Sequence, residues 1–364
     1  MSSVKIIHVI PYTGSEYGGP PYVAKSLNDL FNEKGFKSII LTVGEEYKKA
    51  EIVSFKLSSK TFWFSFNFML RSNRYIKNCD IVFVHGLYSF VSLWSSLIAF
   101  IFGKKIFLLP HGMLDKHSIN SSNFIKNMER KIFLYSFGYF QAKISKRIIF
   151  NSKKEQTNSK FNKNSIVIPN GVDLGVIERV KCDEELFNND KVKLFYLGRI
   201  NPIKGVELII DAVNNLEDDI RNKIELVIAG SGRGEYVRYI QNKSEKSIVR
   251  FVGHIDEHKK YCYLKQCDIY LQPSFTEGLS IAMLEALACR VNMITTNRVG
   301  LYEELIYNDA AEVINYDKNE LKTAIEKLII RKINHSSNGY KIIRDKYNWD
   351  IIFQEYKKLF KERP

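Results

Sequence analysis

Two carboxylates stand eight positions apart in PSFTEGLSIAMLEALA (273–288), Glu277 and Glu285. Glu277 falls in a short polar loop. Glu285 falls on the apolar run behind it, whose spacing predicts a helix over 279–289. A loop carboxylate at a helix start accepts hydrogen bonds from ligand hydroxyls, and the backbone amides of Gly278, Leu279 and Ser280 can donate to the same ligand. Two turns further on, Glu285 is placed for a second pair of hydroxyls on one elongated molecule. The plain alternatives are a loop charge for Glu277 and a buried or capping carboxylate for Glu285. Spacing alone does not choose between them.

Upstream, LGRINPIKG (197–205) sets Arg199 and Lys204 in one loop that enters a helix. A guanidinium fork, an ammonium and a helix N-terminus together suit a diphosphate; otherwise they are two solvated charges. Near the start of the chain, Gly18-Gly19-Pro20-Pro21 follows an apolar strand and opens a helix. Glycines there let backbone amides approach an anion, though a proline-capped turn has the same composition. The stretch is not GxGxxG, so a nicotinamide dehydrogenase reading lacks its fingerprint. His111-Gly112 ends IFLLPHG, where an imidazole can hydrogen-bond a substrate hydroxyl or simply serve structure. His85-Gly86 holds the analogous place after the preceding strand.

The elements that must carry these residues alternate. Apolar strands are predicted at 4–10, 38–43, 81–86, 106–112, 147–152 and 165–171, with helices at 21–35 and 88–103 and a helical aromatic, basic stretch at 61–77. The second half restarts with strands at 192–198, 224–230, 248–253, 268–274, 291–297 and 311–316. Helices are predicted near 205–215, 234–245 and 279–289. This is an α/β chain of two successive doubly wound, Rossmann-like domains joined by a polar stretch at 169–191. The expected limits are 1–170, 171–345 and a terminal amphipathic helix in 346–364. In such sheets ligands bind beyond the carboxyl ends of the strands, where the residues above fall.

Composition agrees. The chain has 364 residues, 45% hydrophobic and 26% charged, which fits two soluble domains and excludes a disordered or collagen-like chain. Its net charge of +14 is confined to the first half: residues 1–165 hold 24 Lys/Arg against 10 Asp/Glu, and the rest hold 30 of each. A basic first domain points to a polyanion, either nucleic acid, an anionic bilayer or a phosphorylated carrier. No nucleic-acid-binding motif accompanies it. Five cysteines without a CxxC pair argue against a disulfide framework and for a reducing compartment. The N-terminus lacks a signal-peptide pattern. Residues 81–103 contain no Asp, Glu, Lys or Arg. Their strand-helix-strand pattern reads as a buried βαβ unit rather than a membrane span.

Taken in order, YGGPPYVAKSL (17–27), LLPHGMLD (108–115), IPNGVD (168–173), LGRINPIKG (197–205), AGSG (229–232), FVGH (251–254) and the Glu-x7-Glu block resemble the retaining GT-B glycosyltransferases of the glycosyltransferases group 1 family, common in O-antigen and capsule synthesis. YNWD (347–350) resembles that family's tail, whose helix crosses back to the first domain. The resemblance implies a GT-B fold and a UDP- or GDP-sugar donor. It places Glu277 on the donor-sugar hydroxyls and Glu285 on the ribose. Arg199 and Lys204 fall on the diphosphate, with Gly19 approaching it and His111 lining the sugar site. Asn170 and Asp173 take structural roles. No metal or other cofactor is implied. The acceptor implied is a polyprenyl-diphosphate-linked glycan or polysaccharide at the inner membrane face, met by a cytoplasmic, peripherally associated enzyme of lipopolysaccharide or capsule biosynthesis. Two segments depart from the family pattern, GLS after Glu277 and ACRVN after Glu285, the latter expected to alter a turn near the nucleotide. They motivate the alternative of a non-catalytic nucleotide- or partner-binding protein.

Overall fold

The computed structural model describes residues 4–14, 17–45, 47–49, 51–114, 124–188 and 190–361; Asp115, which ends LLPHGMLD, lies outside them. Contacts divide the chain into two units, Met1–Pro169 and Asn170–Pro364.

The first unit is built on strands β1 Lys5–Val9, β2 Lys37–Gly44, β3 Tyr47–Lys49, β4 Ile52–Lys56, β5 Ile81–His85, β6 Lys105–Leu109, β7 Arg147–Phe150 and β8 Ser165–Val167. They form one sheet in the order β3-β4-β2-β1-β5-β6-β7-β8. Pairing is parallel throughout except for the β3–β4 hairpin. The central strands are buried on both faces, so they read as continuous apolar runs; β5 (IVFVH) is buried at every position. β1 lies between β2 and β5, so the chain order reverses beside it, which is where such sheets open a binding crevice.

The helix predicted at 88–103 runs Phe90–Ile101, and Gly103 follows it at φ +62°. Twelve residues rise about 18 Å, short of a bilayer core. Ser92, Ser95 and Ser96 are buried within it, and Ser96 Oγ accepts from Gln141 Nε2 at 3.1 Å. Among the described residues no helix is long and apolar enough to cross a membrane. The single helix expected at 61–77 is corrected: it is a 3₁₀ turn at Thr61–Trp63 and two short helices, Phe66–Arg71 and Asn73–Lys77. Phe62 and Trp63 adopt φ near +55°, and Ser65 Oγ caps the restart by accepting from Phe68 N.

The second unit carries β9 Val192–Leu197, β10 Ile224–Ala229, β11 Val249–Gly253, β12 Ile269–Gln272, β13 Asn292–Thr296 and β14 Glu312–Ile314, in the order β11-β10-β9-β12-β13-β14. Every pair is parallel. Here β9 is the reversal point. Two apolar clusters fill the faces of this sheet, one around Phe195, Tyr270 and Leu284, the other around Leu194, Ile209 and Ile325. The tail helix Trp349–Lys361 belongs to this unit: Val172 N donates to Tyr347 O at 2.8 Å and Trp349 N to Val172 O at 3.3 Å. The joining stretch is not wholly loop, because Asp173 Oδ1 caps a helix at Leu174–Arg179. Cys182 and Cys262 form a disulfide with Cα atoms 5.4 Å apart, which corrects the expectation of an unbridged chain; Cys79, Cys267 and Cys289 are free.

Candidate functional site

In the second unit the site grows out of the loop after β9. Tyr196 Oη donates to the Arg199 carbonyl at 3.0 Å, which folds the strand exit. Asn201 Oδ1 then accepts from Lys204 N at 3.1 Å and starts a 3₁₀ turn, Pro202–Lys204. Gly205, at φ +73°, turns the chain into the helix Val206–Asn214. A Cβ on Gly205 would lie 2.0 Å from the Pro273 carbonyl oxygen. Phe275 N donates to Ile203 O at 2.8 Å. The Arg199–Lys204 loop and the Glu277 loop are thus fastened backbone to backbone.

That seam brings predicted residues together. Lys204 Nζ donates to the Glu277 carboxylate, and both side chains are 17% exposed. Arg199, in the same loop as Lys204, is exposed. Both Glu277 and Arg199 act electrostatically on the buried Tyr196 phenol, which burial pushes well above its usual range. The Glu277 loop is anchored further by Glu277 N donating to Arg298 O and Gly300 N to Gly278 O. The amides of Gly278, Leu279 and Ser280 donate to no protein acceptor among the described residues. Ser280 Oγ is held by Gln272 Nε2 at 2.8 Å, and Gln272 Oε1 by Tyr270 Oη at 2.7 Å.

The helix after the loop starts at Ile281, later than expected, so Glu285 sits about one turn in rather than two. Its carboxylate is 3% exposed and bound by Lys260 Nζ at 2.6 Å and Tyr261 Oη at 3.2 Å. Burial pushes this carboxyl up, against the opposing pull of Lys260. The buried Tyr270 phenol, pushed up chiefly by burial, also feels the charges of both Glu277 and Glu285. The ACRVN turn is committed elsewhere. Arg290, at φ +60°, stacks on Tyr340 at 3.8 Å, and Asn292 bonds the backbone of Ile333 and His335 at the amino end of β13.

In the first unit Gly18 (φ +83°) leads into the helix Gly19–Glu33, with Gly19 exposed at its first position. His111 follows β6 at φ +51°, an unusual conformation for a non-glycine residue. Glu155, 2% exposed, fixes this turn by accepting from Gly112 N at 2.6 Å. Behind His111 runs a row of imidazoles: His111 Nε2 lies 2.9 Å from His85 Nδ1, and His85 Nε2 lies 2.9 Å from His8 Nδ1. Burial lowers His111 to about 4 and His8 to about 3, and holds His85 well below its ordinary value.

These shifts carry a stability prediction. In the unfolded chain the three imidazoles take up protons near pH 6.5, whereas in the folded protein they stay neutral until about pH 4 or below. The unfolded state therefore binds more protons in that window. The stability contribution is full above pH 6.5 and is lost as pH falls, by up to about 1.4 kcal/mol per pH unit for each imidazole. Urea midpoints followed from pH 7.5 to 4.5 are expected to decline; a flat profile refutes buried neutral histidines.

Lys260, Tyr196, Tyr270, Glu155 and His8 do not figure among the sequence-predicted residues. Lys260 sits on the helix Glu257–Gln266, whose mostly polar sequence hides its periodicity. His8 left a signal, as a polar residue inside an apolar strand.

Residues 17–176 match the family described as Glycosyltransferase Family 4, and residues 179–342 match Glycosyl transferases group 1. An uncharacterized glycosyltransferase of Methanocaldococcus jannaschii, MJ1069, is 30% identical over 289 residues, 73% of this chain and 72% of that protein. The capsular polysaccharide biosynthesis glycosyltransferase CapH of Staphylococcus aureus is 22% identical across 98% of both chains. Among solved structures, Anabaena HepE in complex with UDP and glucose superposes with a TM-score of 0.80, at 15% identity, over 99% of this chain and 100% of that one. Sucrose-phosphate synthase from Thermosynechococcus elongatus gives 0.78 at 18% identity, over 98% and 99%. With two parallel sheets, family matches across both halves and a relative at this identity, the chain belongs to the group 1 glycosyltransferases of the GT-B fold.

Proposed function

We propose that the protein is a retaining hexosyltransferase that moves a hexose from a UDP- or GDP-sugar to a lipid-linked or polysaccharide acceptor in cell-surface glycan synthesis. The observation that carries this reading is the Lys204–Glu277 pair, held by a backbone seam to the loop that also carries Arg199. A cation for the phosphates and a carboxylate for sugar hydroxyls stand preassembled as an ion pair until a ligand divides them. Glu285 takes the ribose. Gly19 approaches the diphosphate and His111 the sugar.

In the reaction, the bond from the sugar's anomeric carbon to the diphosphate oxygen breaks. The new bond forms from the acceptor oxygen on the same face, and the hydroxyl proton passes to the departing phosphate. Negative charge grows on the diphosphate, where Arg199 and Lys204 neutralise it. The proposal therefore assigns no step to a bound metal. HepE, whose structure was solved with UDP and glucose, and the capsule enzyme CapH are consistent relatives. The test is a thermal-shift panel of UDP, GDP and their sugars, followed by transfer assays with lipid-linked acceptors. One nucleotide series is expected to raise the melting point, by about 2.7 kcal/mol of stabilisation at a hundredfold excess over Kd. Binding of a nucleotide without turnover on any acceptor favours a non-catalytic binding protein instead.

We further propose that the first unit docks on the cytoplasmic face of an anionic membrane. Exposed Phe66, Leu70, Ile101, Ile132, Phe137 and Tyr139 lie on three of its segments. Ring contacts Phe62–Phe133 and Phe100–Phe140 link these segments. Residues 60–78, 100–105 and 124–147 together hold 12 Lys/Arg and a single acidic residue, Glu129. Apolar side chains amid cations suit an acidic bilayer, at about 1 kcal/mol per cation near the surface. Flotation with phosphatidylglycerol vesicles is expected to carry the protein, and phosphatidylcholine vesicles to leave it behind. Ile132→Glu with Phe137→Glu is expected to weaken binding at least about tenfold. Equal partition onto both lipids, or none onto either, removes this part of the reading.

A further inference from the structure

The row of three histidines does not end at solvent on its inner side. His8 is 0% exposed and stacks on Phe83 at 5.0 Å and Phe31 at 5.6 Å. Its Nε2 is buried with no hydrogen-bond partner. All three rings are neutral, so each carries one N–H. A row of neutral imidazoles linked nitrogen to nitrogen then has only two arrangements of its protons. In one, His111 Nε2–H donates to His85 and His85 Nε2–H donates to His8. His8 must then keep its proton on Nε2, as an orphaned buried N–H. In the other, His8 Nδ1–H donates to His85 and His85 Nδ1–H donates to His111, leaving only an unpaired lone pair on His8 Nε2. Orphaned buried N–H groups are rarer and costlier than under-used acceptors, so the second arrangement is preferred.

We propose that His8 and His85 are positioning residues that fix His111 in the tautomer protonated on Nδ1, so that His111 offers a hydrogen-bond donor to the sugar and does not serve as a base. The sugar as recipient rests on the function proposed above; the tautomer does not. In this arrangement the Nε2 lone pair of His111 is already engaged by His85. A proton taken up at His111 also has nowhere to go. Passed inward, it would stop as a cation on His8, between phenylalanine rings with no acceptor beyond. The row is a polarity lock and not a proton path. It leaves the departing diphosphate as the group that receives the acceptor's proton.

The experiment is nitrogen NMR of the full chain labelled with ¹⁵N-histidine, at pH 7 without ligand. The sequence has seven histidines, so single substitutions suffice for assignment. Nδ1–H signals with unprotonated Nε2 are expected for His8, His85 and His111. A His111 protonated on Nε2, or an imidazolium at any of the three, overturns the proposal. Two variants separate positioning from mere packing. His8→Met replaces the terminal donor with a sulfur that can only accept, so the row is expected to reverse and His111 to shift toward the Nε2–H form, with turnover falling about tenfold while nucleotide affinity holds. His8→Asn places an amide N–H where Nδ1 stood and is expected to restore the single Nδ1–H form. A folded His8→Met protein that keeps a pure Nδ1–H His111 refutes the lock. If that variant does not fold, the wild-type and His8→Asn spectra decide. Loss of transfer activity with the expected tautomers intact counts against the proposed function alone.

Discussion

Lys204→Ala and Arg199→Ala are each expected to lower turnover by about 10²–10³-fold at saturating nucleotide-sugar, with the fold retained. The charge that a glycosyl donor must shed appears on its diphosphate, and these are the cations of the loop after β9, at the point where the strand order reverses. Lys204 also neutralises Glu277, and both are largely shielded from water. Lys204→Ala therefore leaves a half-buried carboxylate without its partner, a cost of stability as well as of chemistry. Glu277→Gln separates the two effects in part, because it keeps the shape of the site and an acceptor for the ammonium while removing the charge. It is expected to lose transfer with a smaller fall in melting point than Lys204→Ala, since the amide oxygen can still accept from the Lys204 ammonium. The check is steady-state turnover alongside thermal melting. A folded Lys204→Ala protein with parental turnover would contradict the phosphate site.

The second large effect is on folding. A Cβ at Gly230 would stand 1.8 Å from the carbonyl oxygen of Gly198, and the residue adopts φ +136°. Gly205 meets the Pro273 carbonyl in the same way. Neither obstacle is a flexible side chain, so strands and loops must part to admit a methyl group. Gly230→Ala and Gly205→Ala are each expected to destabilise the protein by about 3 kcal/mol or more, where ordinary substitutions cost about 1. Urea unfolding of the purified variants measures this. Midpoints unchanged from the parent would mean that the backbones are not in contact.

Much of this arrangement is legible in the sequence because parallel sheets bury both faces. Runs such as KIIHV, IVFVH and IELVIA have no other use in a chain this size, and glycines mark their exits. Arg199, Lys204 and Glu277 were readable as a group because all three follow strands. Their pairing was not, since it depends on the Ile203–Phe275 backbone bond between loops about seventy residues apart. The imidazole row is a further case. It needs three strands in register, β1 beside β5 and β5 beside β6, which no local pattern encodes. Local reading failed in the 61–77 stretch, where aromatic spacing suggests one helix and positive φ at Phe62 and Trp63 divides it. It failed again at Lys260, on a helix too polar to announce itself.

The glycine contacts have one more consequence. Because the loops after β9, β10 and β12 meet backbone to backbone, with Gly230 against Gly198, Gly232 against Ile200 and Gly205 against Pro273, they form a single stiff casting. An arriving nucleotide does not have to freeze them, so little conformational freedom is given up on their account. Changing donor preference by grafting one of these loops from another enzyme would disturb all three. Side chains that line the casting, and not its backbone, are where selectivity can drift over evolution.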